Sequence, residues 1–454
     1  MPPTLRELIA VVAALFAGGA AVFVLSDDLT ANWVLYATGG DNRWWLSDSP
    51  TGIALGAIVA VGVCVVVGVR GSRRGGWGAV AALGALIVAA TLAPRAASGV
   101  DLLETAQIVR CIAAGGMLGA AAAACHGRIA WQSALAAGAV AAAASAAVRS
   151  SGGIFLISGS DEIDSSILRH SDPNWWLLAG AVVLAATAAA TTPSGYQLPQ
   201  PNRRSIGNAL GGVVVFAIGS RLFTEWISRD AINHRSRIWL AVFVSVGALL
   251  AISFTVARLA RPGLGRFILV ALGVAANFAV LTRDMRAVPQ SAPTPWFVFV
   301  VALATIAGLR ISSIRPNAVL GLAIVAIVPL SSALSPEFGN NGIGMVLRFA
   351  VAALGAGYAL GSSYPSESPF TAFGVAILST SALQTAAAVP EIRRINFSSV
   401  GDSPASGFHS FGDANEYRLA GLAMLIVIVA CAAGVFGLRG KSGTAKPIGF
   451  GPAR

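Results

Sequence analysis

Apolar runs of helix length follow one another along almost the whole chain, separated by short clusters of arginine, serine, glycine and proline. A bilayer-crossing helix needs about 20 apolar residues. Scanned at that length, the chain offers about 14 spans, near 8–25, 51–69, 77–94, 104–124, 129–148, 175–191 and 206–222. The rest lie near 238–257, 266–282, 295–310, 317–334, 343–361, 368–388 and 418–438. The first could run on to Tyr36; with no small-residue cleavage site before Asp27 and Asp28, it reads as a retained helix and not a removed signal peptide. The pattern predicts an all-α polytopic membrane protein.

Composition agrees. The chain has 454 residues, 56% hydrophobic and 11% charged, with a mean hydropathy of +0.73, whereas soluble domains carry about 25% charged residues. Its formal charge is +11, and because lysine occurs only at Lys441 and Lys446, the positive charge is nearly all arginine. The arginine, alanine, glycine and valine bias fits a GC-rich bacterial genome, so the expected location is a bacterial inner membrane. No basic block is interleaved with aromatics, which argues against nucleic acid. Cys64, Cys111, Cys125 and Cys431 lie in or beside apolar runs without metal or disulfide spacing, and read as small buried hydrophobes.

Short arginine-dense loops set the orientation. Arg70, Arg73, Arg74, Arg128, Arg203, Arg204, Arg258, Arg261, Arg266, Arg310 and Arg315 and the basic tail fall on one side, taken as cytoplasmic. Nearly every acid except Glu7 and Glu367 falls opposite. An even number of spans then puts both termini in the cytoplasm. Tryptophans at the edges of spans, as in Asp41-Asn-Arg-Trp-Trp45 and Asp172-Pro-Asn-Trp-Trp176, read as interfacial anchors.

Two spans carry an arginine where one is expensive, by roughly 2.5–3.5 kcal/mol on insertion scales. Arg110 lies inside Asp101–Gly127, with Glu104 and Gln107 before it on nearly the same face. Arg348 sits likewise in Met345-Val-Leu-Arg348-Phe-Ala-Val-Ala, with no acid evident on its own helix. Such a pair suggests an internal duplication.

The order of features resembles the major facilitator superfamily, in its 14-helix drug:proton antiporter branch. Asp27-Asp28-Leu29-Thr30-Ala31-Asn32 is similar to the family's first-helix pattern with a one-residue offset, and Gly68-Val-Arg70-Gly-Ser-Arg73-Arg74-Gly-Gly-Trp77 to its basic loop. Arg110-Cys-Ile-Ala-Ala-Gly-Gly-Met-Leu-Gly119 resembles its fourth helix, and His126-Gly-Arg128 the basic turn after it. Arg310-Ile-Ser-Ser-Ile-Arg315 takes the place of the basic loop in the second half. The chain departs from the family in lacking an acid between Gly68 and Trp77, and in the nearly pure alanine of 133–148 where a glycine and proline signature is usual. It is similar to a divergent member.

The resemblance implies a six-helix bundle at 1–192, a linking helix pair at 193–262 and a second six-helix bundle with a short tail at 263–454. It implies alternating-access movement, efflux in the branch named, of a drug-like or lipid-like amphipathic solute, with proton coupling. Expected substrate and proton-coupling residues are Asp27, Asp28, Asn32, Glu104, Arg110 and Arg348, and expected gating residues Arg70, Arg73, Arg74, Arg310 and Arg315. No cofactor or metal is expected; the partners are the lipid bilayer, the solute and, in a second reading, another membrane protein of an envelope assembly. A third reading is a glycosyltransferase using a lipid-linked sugar at Asp27 and Asp28. Two weaker constellations read as loop: Ser403, Ser406, His409, Ser410 and Asp413 lack a scaffold for a nucleophile, and Gly440-Lys441-Ser442 follows an apolar helix and lacks the first glycine of a phosphate loop.

Overall fold

In the computed structural model the described residues are 3–26, 42–96, 100–149, 175–193, 197–233, 237–286, 295–335, 342–398 and 414–439. Within them the chain forms α1 (Pro3–Ser26), α2 (Asn42–Arg70), α3 (Arg73–Ala96), α4 (Val100–Ala124), α5 (Ile129–Arg149) and α6 (Trp175–Thr191). Then come α7 (Arg203–Asn233) and α8 (Ile238–Leu259). The last series is α9 (Pro262–Arg286), α10 (Pro295–Ile314), α11 (Ala318–Leu334), α12 (Gly342–Gly361), α13 (Ser368–Ile377), α14 (Ser381–Ser398) and α15 (Ala414–Gly437). Eleven segments are long and apolar enough to cross a bilayer, one of them (Ser368–Pro390) joining α13 and α14, and three shorter apolar helices, α6, α10 and α11, complete the series. The protein is an all-α, multi-pass membrane protein.

Helix pairing repeats. In the first half α1 packs on α5 and α6, and α4 on α1, α2 and α3, while α3 also meets α6. In the second half α9 packs on α13, α14 and α15, and α12 on α9, α10 and α11, while α11 also meets α15. Reading α9 to α12 for α1 to α4, the α13–α14 pair for α5 and α15 for α6 superposes one list on the other. The halves meet through α5 against α9, α10 and α12, and through α13 against α2 and α4. Of the two helices between them, α7 lies on α2, α13 and α14, and α8 on α7, α9, α14 and α15.

Close packing explains why so many helices are rich in alanine and glycine. Without a hydrophobic force between helices in lipid, association depends on backbone approach. Gly119 on α4 lies so near the Ala60 carbonyl of α2 that a Cβ would overlap it, and Gly357 on α12 stands in the same relation to the Thr305 carbonyl of α10. Each glycine follows its helix's buried arginine by nine residues, 110 to 119 and 348 to 357, so the duplication extends to side-chain register.

Three differences from the sequence expectation bear on the interior or its polar groups. Helix α7 runs to Asn233, well past 222, because Arg221, Glu225 and Arg229 pair along one face and let the helix continue through charged residues. Helix α9 continues past 282 to Arg286, carrying Arg283 and Asp284 into the bundle. The span near 368–388 breaks at 378–380, where three successive N–H groups bond back three residues, Leu378 to Val375, Ser379 to Ala376 and Thr380 to Ile377. We call the end where α1 begins and α15 finishes proximal, and the opposite end distal. At the proximal end Gly71 (φ 72°) and Gly127 (φ 76°) close the turns after α2 and α4 in a left-handed conformation that suits glycine.

Candidate functional site

Three groups of polar residues stand out in the interior among the described residues. The first is central. Arg110, fully buried on α4, donates from Nη1 to Gln107 Oε1 at 3.0 Å, one turn earlier, and Gln107 Nε2 points to Cys111 Sγ at 3.7 Å. At the end of α1, Ser26 Oγ lies 3.5 Å from Ser379 Oγ in the α13–α14 break. From the other side α7 brings Ser220 and Thr224, whose hydroxyls lie 3.3 and 3.1 Å from Ser381 Oγ. Arg221 Nε on the same helix donates to Thr51 Oγ1 on α2 at 2.7 Å, so α7 touches both halves through polar contacts.

The second lies toward the distal end inside the second half. Asp284 on α9 accepts from Arg283 Nε at 2.8 Å and from Arg348 on α12, and Ser332 on α11 donates to it at 3.2 Å. Arg283 also donates to the Tyr417 carbonyl on α15 at 2.9 Å and to Ser332, with its guanidinium 5.3 Å from the Tyr417 ring centroid. All three charged groups are 4% exposed or less, and an ion pair so enclosed needs this full set of hydrogen bonds to offset its desolvation. Two turns below Asp284 on the same face stands Asn277, fully buried, with neither amide atom hydrogen-bonded.

The third is proximal. Arg73, buried at the start of α3, donates to the His126 carbonyl at 2.8 Å and lies 5.1 Å from the Trp131 ring centroid. Trp131 Nε1 donates to Glu7 at 2.9 Å, and Glu7 pairs with Arg128 at 3.1 Å. Trp77 packs beside Trp131 at 6.1 Å. Across the interface Glu367, just before α13, stands 3.8 Å from Arg261, and Cys64 is buried on α2, which packs against α13. Burial holds the His126 imidazole below its ordinary pKa of 6.5; Glu367 pulls it up and Arg73 pushes it further down.

Of the residues expected from sequence, Arg110 and Arg348 are both buried but belong to separate networks, one central and one within the second half. Among the expected gating arginines only Arg73 is buried, while Arg70, Arg74, Arg310 and Arg315 are exposed. Asp27, Asp28 and Asn32, the side chain of Glu104 and the segments holding His409 and Lys441 lie outside the described residues. Sequence reasoning missed Arg283 and Asp284 because it ended the span at 282, yet two charges directly after an apolar run with Arg348 still lacking an acid were a usable signal. It also missed Glu367 as an interface residue.

No protein-family model matches the chain, and no curated protein matches its sequence. Among solved structures it is similar to a bacterial homologue of the human lysosomal transporter Spinster in an inward-facing, occupied conformation, with TM-score 0.48 and 13% identity over 97% of this chain and 98% of that one. It is also similar to FucP, a major facilitator superfamily transporter in the outward conformation (TM-score 0.46, 13% identity, 94% and 98% covered). A D-xylose-proton symporter matches with TM-score 0.45 and 13% identity, covering 95% and 97%.

Proposed function

We propose that the protein is a secondary carrier of the major facilitator type, in its 14-helix arrangement, which moves an amphipathic or lipid-like solute by rocking one six-helix half against the other. The observation that carries the reading is the repeated helix pairing, with Arg110 and Arg348 in matching register on α4 and α12. Two copies of one bundle joined by a helix pair make a two-state element of the kind alternating access requires. In this reading the halves are 1–192 and 263–454, the linking pair is 193–262, and both termini face the cytoplasm of a bacterial cell.

The α13–α14 break supports a solute path beside it, since interrupted helices free backbone groups where they line a binding region. The polar groups at the break are hydroxyls, Ser26, Ser379, Ser381, Ser220 and Thr224, and the buried Arg110–Gln107 pair lies on α4, which packs against α13. That mixture suits a solute with one polar end and an apolar body. Arg110 is the group we assign to its polar end or to a coupling proton's carboxylate.

The test is flux in proteoliposomes for lipophilic cations and fluorescent lipids, with and without a pH gradient, for wild type and Arg110→Ala. Gradient-driven flux abolished by Arg110→Ala is the expected result. Absence of flux for every solute from folded wild type overturns the reading.

A further inference from the structure

At the proximal interface two buried polar atoms from opposite halves have no hydrogen-bond partner: His126 Nδ1, in the turn between α4 and α5, and Glu367 Oε2, directly before α13. A buried polar atom left so is costly, and these two lie where the halves meet. The charged and titratable groups around the imidazole come from every neighbouring element. Arg73 from α3 holds the His126 carbonyl, Glu367 acts on the imidazole electrostatically from the second half, and the Glu7–Arg128 pair lies beyond Trp131. Arg261 approaches Glu367 from the α8–α9 turn, and the buried Cys64 and Cys125 thiols lie on the first-half side.

We propose that His126 is a proton-binding site that controls closure of this interface, taking up its proton as the proximal end opens and giving it back as the end closes. The proposal rests on the reading above only in requiring the halves to separate there; it assumes no solute.

The direction follows from the surroundings. In the closed arrangement burial and Arg73 outweigh Glu367, so the imidazole holds a proton less tightly than at its ordinary value of 6.5. Separation returns it to water and to that value. A group that binds its proton better in the open state pulls the equilibrium toward opening as the pH falls, and for histidine the window is about pH 5 to 8. Glu367 moderates the response: its carboxylate favours the charged imidazole in the closed state and so limits how far acid opens the interface.

Cys64 gives a readout already in the chain, because it is buried on α2, which packs against α13 across the same interface. We would measure maleimide labelling of Cys64 in the purified full chain by mass spectrometry at about pH 5 to 8, relative to the denatured chain at each pH, with Cys111 and Cys431 as internal references. Wild type should lose protection several-fold on acidification, His126→Gln should show no pH response, and Glu367→Gln should show an enlarged one. A pH-independent wild type overturns the proposal. So does a response that survives His126→Gln, or one lost in Glu367→Gln, which would make the carboxylate the titrating group. Should His126→Gln fail to fold, Glu367→Gln decides alone: an enlarged response supports the site, and an unchanged or lost one overturns it. Labelling is read without transport, so acid-driven opening without flux would leave this site standing and remove the carrier reading, while flux without pH-dependent labelling would do the reverse.

Discussion

Arg348 on α12 donates to the carboxylate of Asp284 on α9, and that same carboxylate holds Arg283 and Ser332. One acid thus serves two arginines from neighbouring helices deep in the second half. Removing it takes one carboxylate away from two enclosed guanidinium groups at once, whereas removing Arg348 leaves Asp284 still paired with Arg283. Breaking a buried pair from one side costs about 3–5 kcal/mol. Asp284→Asn should therefore lower the thermal unfolding temperature in detergent more than Arg348→Met does. Equal losses would show that the carboxylate is not the hub.

Glycine substitutions should separate by what a Cβ would meet. At Gly119 it would overlap the Ala60 carbonyl, a backbone atom that cannot swing away, while at Gly62 on α2 nothing lies within 4 Å. Overpacking costs about 1–3 kcal/mol, and alanine in an open helix interior gains roughly 0.5–1 kcal/mol over glycine. Gly119→Ala should destabilise the protein and Gly62→Ala should leave it unchanged or more stable, measured by unfolding in one detergent.

The span order was legible in the sequence because hydropathy alone decides which segments can leave water. The matching arginines were legible too, because a charge inside an apolar run stands out wherever it pairs. What they pair with was not. Asp284 lies 64 positions from Arg348 and at the end of its own run, where an acid reads as loop. Glu367 likewise reads as a surface acid until folding sets it beside Arg261 and lets its charge act on His126 from the other half. The α13–α14 break left little trace either: Ser379-Thr380-Ser381 contains no proline or glycine, and its turn is held by contacts with α1 and α7.

Asn277 predicts a gain of stability. Its amide is fully buried on α9 with neither atom bonded, and its neighbours along the helix, Val274, Ala275, Ala276, Phe278, Ala279 and Val280, are buried and apolar. An unsatisfied buried polar group costs about 1–3 kcal/mol, and an apolar group of similar shape removes that cost. Asn277→Leu should raise the unfolding temperature. A fall would mean that the amide is satisfied by internal water, which Leu displaces.

Protonation of His126 should also appear in the stability of the whole fold. Its folded-state pKa lies below 6.5 because burial disfavours the charged ring, and unfolding restores the ordinary value. The unfolded chain then binds the extra proton first as pH falls. The sign is fixed by linkage: the contribution is fully present above the unfolded value, shrinks as pH drops through 6.5, and is lost once pH passes below the folded-state value. Wild-type unfolding temperature should therefore decline through that window with a slope that His126→Gln removes. Because both forms of the variant are uncharged there, its curve should flatten without the whole fall in stability at more acidic pH, where the carboxylates titrate, being altered.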